Sequence, residues 1–391
     1  MIKKKFLGGS FVRICIFNFI IYLAQFMSNT ILPLYADKLG ASATLVGMIV
    51  SAFSLTSLLM KPVSGSAADS FPRVRILRIG VILLAAAMIG YAFSSTYPIL
   101  LLFRLVHGLA MGINVTICLA MAADALPAER ITSGIAVYSA AQALSSMIGP
   151  WVGLQLQDMV GYRVTFMVSA VLVAEAGMLI FFEKPNVPPH ADNFTISLKR
   201  CLAVEAIPTA CIMIFLAAPF VSISSYLVLF ARSMRVDGIG IFFTVNAASL
   251  LISRPLVGRL TERFGPSKTL PTAICIFAAG MVTISCARGL PAFIAAAVLV
   301  AFGYGACQPL IQALCIRNTP SDRRGAASAT SMYGSDIGYL CAPFIAGRMV
   351  DRLGYSGMFL GMTVFLAAAL VLAYVLRDRI SAEALQNEEK L

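Results

Sequence analysis

Charge is scarce in this 391-residue chain: Asp, Glu, Lys and Arg make up 12% of it, against 59% hydrophobic residues. Soluble domains carry about 25% charged residues. So few charges cannot cover a chain of this length with a water-facing surface, so most side chains are surrounded by lipid. Histidine is scarcer still, with only His107 and His190. The remaining residues form no Ser-His-Asp set, no metal-ligand cluster and no phosphate-cradling glycine loop. The chain therefore does not read as an enzyme, and no cofactor or metal is expected. The nine cysteines are scattered without a Cys-x-x-Cys pair and read as small packing residues.

What the chain has instead is long apolar runs. Twelve recur, near 11–36, 43–67, 75–95, 98–124, 131–156, 163–183, 204–230, 238–261, 270–287, 290–316, 325–349 and 355–376. Each is long enough to cross a hydrocarbon core of about 30 Å as a helix. The opening "MIKKKFLGGSFVRICIFNF" has a charged start like a signal peptide. Its run is too long and ends in "LPLYADKLG", without a small-residue cleavage site, so it reads as a retained first span.

The net charge of +12 is distributed by topology. With the N-terminus inside, the cytoplasmic ends hold Lys3, Lys4, Lys5, Arg13, Lys61, Arg73, Arg75 and Arg78 in the first quarter of the chain alone. The opposite ends of the whole chain hold only Lys38, Arg163, Arg232, Arg235, Arg288, Arg348 and Arg352. This is the positive-inside bias. It predicts a multi-pass protein of the bacterial plasma (inner) membrane with both termini cytoplasmic, and it argues against nucleic acid as a partner.

A charged word is written twice. "KPVSGSAADSFPRVR" spans Lys61 to Arg75, and "RPLVGRLTERFGPSK" spans Arg254 to Lys268, at an offset of 193. The same offset matches Gly47 to Gly240, Pro98 to Pro291, Gly112 to Gly305, Arg130 to Arg323, Pro150 to Pro343, Asp158 to Asp351 and Gly161-Tyr162 to Gly354-Tyr355. Apolar helices coincide by chance at Leu and Ala, not at Pro, Gly and loop charges, so the chain is a tandem repeat. The predicted fold is an all-α membrane protein of twelve transmembrane helices in two pseudo-symmetric six-helix bundles. The first bundle is expected over 1–183 and the second, with a short cytoplasmic tail, over 204–391; a cytoplasmic linker over 184–203 joins them. An even number of spans per half makes the repeat parallel, and transporters built this way bind substrate between the halves near the midplane.

These features resemble the major facilitator superfamily over nearly the whole chain. The charged word is similar to the family pattern of Gly, three residues, Asp, Arg, any residue, Gly and two basic residues. The first copy has Gly65, Asp69 and Arg73; the second has Gly258, Glu262, Arg263 and Gly265. Ser70 and Pro72, then Pro266 and Ser267, depart from the pattern. "LLLFRLVHGLAMG" in the fourth run resembles the family's Arg, three residues, Gly motif through Arg104 and Gly108. "SSMIGPWVGL" in the fifth resembles its antiporter motif through Gly149, Pro150 and Gly153.

The resemblance implies a cytoplasmic latch. Asp69 would meet the start of the eleventh run near Gly325, and Arg73 would pair with Asp124. By the repeat, Glu262 would meet the start of the fifth run near Ser133, with Arg317 placed to pair with it. The resemblance implies a 12-span drug:proton antiporter: secondary active, proton-coupled efflux of small amphipathic organic compounds by alternating access. A proton symporter or a facilitator for a sugar or other small metabolite is the other reading.

Polar residues inside the runs fall in stripes. Asn18, Tyr22, Gln25 and Asn29 share one helical face, as do Tyr138, Gln142 and Ser145. Asn246, Ser249 and Ser253 form a third stripe, and Tyr304, Gln308 and Gln312 a fourth. Polar groups gain nothing by facing lipid, so these stripes, with Asn114 and Tyr333, are the candidate substrate cavity. Asp336, Arg104, His107 and Glu175 are ionisable groups inside runs and are the proton-coupling candidates. The expected partners are a small-molecule substrate, protons and the lipid bilayer, with the chain acting as a monomer.

The charge bias gives a direct prediction. A green fluorescent protein fused after Leu391 should fluoresce, and alkaline phosphatase fused there should be inactive. The opposite pair of results would reverse the predicted orientation.

Overall fold

The structure, a computed structural model, describes residues 9–127, 130–181, 202–320 and 323–380. All but the last two residues of the expected linker over 184–203 lie outside the described residues. The helices are α1 (Gly9–Lys38), α2 (Ala43–Ser70), α3 (Arg73–Phe93), α4 (Tyr97–Asp124), α5 (Ile131–Phe181), α6 (Ile207–Ser233), α7 (Gly240–Phe264), α8 (Pro266–Ser285), α9 (Leu290–Arg317), α10 (Arg324–Gly361), α11 (Thr363–Val375) and the single turn α12 (Arg377–Ile380). There is no strand among the described residues, and ten of their helices are long and apolar enough to cross a membrane. Helix is the economical answer for such a chain, because each segment then satisfies its own backbone groups without water. Prolines help start α4, α6, α8 and α9, where the missing N–H costs no bond.

The twelve expected runs differ from these ten spans at two places. Runs five and six form the single element α5, and run eleven continues through α10 toward run twelve. Each is interrupted at one residue, Gly161 at φ 80° and Gly354 at φ 70°. That left-handed backbone favours glycine. The neighbours show what the break does. Phe19 meets Ser145, and Met27 meets Gly153, so α1 and the first part of α5 run the same way. Beyond Gly161 the order inverts, with Ser28 at Ser169 and Tyr35 at Phe166 and Tyr162. Along α6, Ala210 meets Gly334 and Ala217 meets Gly338, whereas Phe230 meets Tyr355 and Phe215 meets Phe365. The chain therefore turns back at one glycine in each case, with no loop long enough to read as a gap.

The chain divides into two compact units: Met1–Ala41 with Ala52–Ser197, and Ser42–Ser51 with Leu198–Leu391. In the first unit, α1 packs on α5 through Gly149 and Gly153, where an added Cβ would lie within 2.9 Å of Phe26 or of the Met27 backbone. Gly108 of α4 lies against Phe53 and Thr56 of α2 in the same manner.

The second unit includes the first turns of α2. There the Asp351 carboxylate accepts hydrogen bonds from the amides of Ala43 and Thr44, both at 3.1 Å, and from the Thr44 hydroxyl. An acid at the start of a helix satisfies its free N–H groups and complements its dipole. Tyr226 hydroxyl lies 2.9 Å from Ala43 O and 2.8 Å from Pro343 O, closing the same corner. At the other end of this unit, Arg323 donates to Glu205 at 2.8 Å and to Leu202 O at 3.0 Å.

Gly303 of α9 faces Phe277 of α8 so closely that an added Cβ would lie 2.5 Å from the Phe277 backbone nitrogen. Gly303→Ala should therefore destabilise the protein by about 1–3 kcal/mol. Gly258→Ala, with nothing within 4 Å of the new methyl, should be neutral or slightly stabilising. Thermal unfolding of the two variants in detergent measures the difference.

Candidate functional site

In the first unit, the residues that carry chemistry gather around α4. Arg104 is buried, and its Nη1 donates to Asn29 Oδ1 of α1 at 2.8 Å. Its guanidinium lies 4.4 Å from the centre of the Phe53 ring of α2, a cation–π contact. His107, one turn on and fully buried, has Nδ1 3.3 Å from Arg104 Nη1 and 3.0 Å from the Tyr91 hydroxyl of α3. An arginine only donates, so this geometry makes Nδ1 an acceptor and leaves the ring proton on Nε2. That Nε2 has no hydrogen-bond partner. Four helices thus converge on one cationic, aromatic and polar cluster. Sequence reasoning named Arg104, His107 and Asn29 but missed Tyr91 and Phe53, aromatic residues on runs from which no cavity residue was expected.

A second group lies between α1 and α5. Asn18 Nδ2 donates to Tyr138 O at 3.2 Å, which leaves Asn18 Oδ1 without a partner. Gln25 Oε1 is also without one among the described residues, and the buried Tyr138 hydroxyl faces the Cys118 thiol of α4. Tyr22 stacks on Phe26 with ring centres 6.0 Å apart. Gln142 is half-buried on α5. Asn114 does not join this group. It is fully buried, but its amide is turned to α3, where a Cβ added to Gly80 would lie 2.2 Å from Asn114 Oδ1. Glu175 is not in the interior either: it is exposed beside Val171 and Met178 on the apolar outside of α5. The angular position of a lone acid in an apolar run carries no signature of the side it faces.

In the second unit, Tyr304 of α9 and Tyr339 of α10 meet hydroxyl to hydroxyl at 2.8 Å. The Tyr304 ring is sandwiched, stacked on Phe220 of α6 at 3.9 Å and tilted against Phe277 of α8 at 5.8 Å. Asp336, half-buried and one turn before Tyr339, lies within electrostatic reach of both hydroxyls. Tyr339 and Phe220 are the residues missed here; the signal for Tyr339 was its i+3 spacing from Asp336. Asn246 Nδ2 donates to Ala297 O at 2.9 Å and Gln312 Nε2 to Ser328 Oγ at 2.9 Å, so both tie helices together. Gln308 is exposed and Tyr333 half-buried.

The two charged words differ in structure. Asp69 lies in the last turn of α2, exposed and without a hydrogen bond or ion pair among the described residues. Helix dipoles disfavour an acid there, so nothing local accounts for it. Arg73 begins α3, donates through Nε to Ala68 O at 3.1 Å and forms an ion pair with Asp124 at the end of α4. Gly65 has open space around it. In the second copy, Glu262 and Arg317 are not a pair. Glu262 is exposed and without a hydrogen bond or ion pair among the described residues, and Arg317 donates to Ile380 O of the C-terminal turn α12 at 3.0 Å. Arg263 lies over the neighbouring Phe264 ring, and Gly258 has nothing near it.

Polar clusters enclosed by membrane-spanning helices, in a chain with two repeated halves, define a membrane transporter by class. The family model described as Major Facilitator Superfamily matches residues 14–237 and 209–390. The chain belongs to that superfamily, whose members move small molecules rather than catalyse reactions. It is similar to a staphylopine export protein of Staphylococcus aureus, 20% identical over 387 residues, with 95% of this chain and 97% of that protein covered. It is 26% identical over 377 residues to the multidrug resistance protein MdtG of Klebsiella pneumoniae, covering 91% and 90%. Among solved structures, a bacterial homolog of the lysosomal transporter Spinster superposes with a TM-score of 0.76 at 14% identity, over 97% of this chain and 98% of that one. A peptide transporter crystallised with sulfate reaches 0.80 at 14% identity, covering 97% and 96%. The solved structures establish the fold alone.

The Arg73–Asp124 pair is part exposed, at 15% and 54% for the two side chains. A double-mutant cycle with Arg73→Gln and Asp124→Asn should return a coupling of about 1 kcal/mol or less in thermal stability.

Proposed function

We propose that the chain is a proton-coupled exporter of small amphipathic organic compounds, working by alternating access. The observation that carries the reading is that relatives aligned over about nine-tenths of the chain are named for export or multidrug efflux. The chemistry of the clusters agrees with it. Stacked aromatic rings on α6, α8 and α9 suit flat, apolar parts of a compound, while Asn and Gln amides supply orientation. Asp336 is the proposed proton carrier, since a carboxylate inside a membrane helix is costly unless it is protonated or compensated. Arg104, with His107 and Tyr91, is proposed to take part in coupling within the first unit. Glu175 faces the wrong way for this role and is left out of it.

The one-glycine reversals at Gly161 and Gly354 support twelve spans in two six-helix halves; an even count puts both termini on one side, which the charge bias makes the cytoplasm. Asp69 and Glu262 are proposed as latches to the helix starts near Gly325 and Ser133, the contacts forming only in part of the cycle. An acid left unbonded in the last turn of a helix is available for such a contact. The transporter is proposed to act as a monomer.

Purified protein in liposomes with an imposed pH gradient tests the coupling. A compound of the exported class, added outside acid-loaded liposomes, should enter as protons leave the lumen, an alkalinisation reported by a trapped pH-sensitive dye. Asp336→Asn should abolish this proton movement while binding of the compound persists. Compound flux indifferent to the gradient would overturn proton coupling. Uptake with protons moving in the same direction as the compound would replace antiport by symport.

A further inference from the structure

On α10, Ile345, Arg348, Met349, Arg352 and Leu353 line a surface groove of about 390 Å³. Their spacing puts them on a single helical face. Ile345 and Leu353 are 38% and 62% exposed, which on a membrane-spanning helix means contact with lipid chains. Arg348 and Arg352 are exposed one turn apart and form no ion pair or hydrogen bond among the described residues. Arg348 rests over the Phe344 ring at 5.4 Å, which steadies its guanidinium. The acid between them, Asp351, is committed to Ala43 and Thr44 and does not neutralise them.

The groove lies close to the end of its membrane-spanning helix. The helix breaks at Gly354, and Arg348 is about 9 Å along the axis before that break. Two uncompensated cations at the boundary between an apolar face and water match a phosphate with an acyl chain attached. They also stand out against the charge bias, since this end of the helices is otherwise poor in basic residues.

We propose that the Ile345–Leu353 face of α10 is a binding site for an anionic phospholipid. The two guanidiniums take the headgroup phosphate, and Ile345, Met349 and Leu353 take the first part of an acyl chain. Arginine is suited to this because its planar fork meets two phosphate oxygens at once.

The chain has a single tryptophan, Trp151, so a local reporter is simple to install. A full-length variant with Trp151→Phe and Leu353→Trp is reconstituted with brominated phosphatidylglycerol or brominated phosphatidylcholine at equal mole fraction. The anionic lipid should quench the new tryptophan more strongly. Arg348→Gln with Arg352→Gln should reduce the preference by about fivefold for each cation removed. Arg348→Lys with Arg352→Lys should keep most of it, and Arg163→Gln, whose side chain stacks on Phe93 in the other unit, should not change it. Equal quenching by the two lipids in the arginine-bearing protein overturns the proposal without reference to any other variant. So does a preference that survives the double glutamine substitution. Loss of the preference on adding millimolar inorganic phosphate would assign the site to a free anion instead of a lipid.

Discussion

Hydrocarbon offers no hydrogen bonds, and a chain surrounded by it must satisfy its polar groups from within. This constraint explains both the helices and the placement of what is not apolar. A guanidinium in such a helix has to be given partners, and Arg104 receives them from three directions: an amide on α1, an aromatic face on α2 and an imidazole on its own helix. Each partner then has a required position. Asn29 must face inward, Phe53 must present its ring, and His107 must offer a lone pair in place of a proton. The apolar packing of α1, α2, α3 and α4 is thereby tied to one charge.

The second unit solves the same problem differently. Its central polar feature is neutral, a pair of tyrosine hydroxyls bonded to each other, with the ring of one clamped between phenylalanines. The acid, Asp336, stands beside this pair. The repeat therefore preserved the helices and their turns while the polar contents diverged. The cation sits in the first copy of the fourth span; at the same offset the second copy places Ala297. Unlike interiors on a duplicated scaffold fit the coupled transport proposed above.

Much of the architecture is readable from the chain because hydropathy and length leave few alternatives. The boundaries of α1 to α4 and α6 to α9 follow the apolar runs closely. The reversals at Gly161 and Gly354 are readable as positions, since a Gly-Tyr pair recurs at the repeat offset, but not as geometry. A turn made by one residue leaves no polar stretch to mark it. Among the polar residues, those on a regular stripe are the easiest to place, and Asn18 and Tyr138 do come together. Isolated ones are harder. Asn114 and Glu175 both lie off the polar stripes of the sequence, yet one is sealed against Gly80 and the other faces outward. The partner of Arg317 depends on the C-terminal turn, which no local pattern connects to it.

The glycine reversal in α5 has a mechanical side. Two helices joined through a single residue have almost no slack between them, so neither arm can slide, rotate or tilt far without taking the other along. Gly161 thus makes one stiff hairpin of two membrane crossings, and Gly354 does the same in the second unit. A displacement imposed on Gly149 or Gly153, where α5 grips α1, is carried around the bend into the arm that contacts Ser28 and Tyr35. The hairpins behave as solid parts.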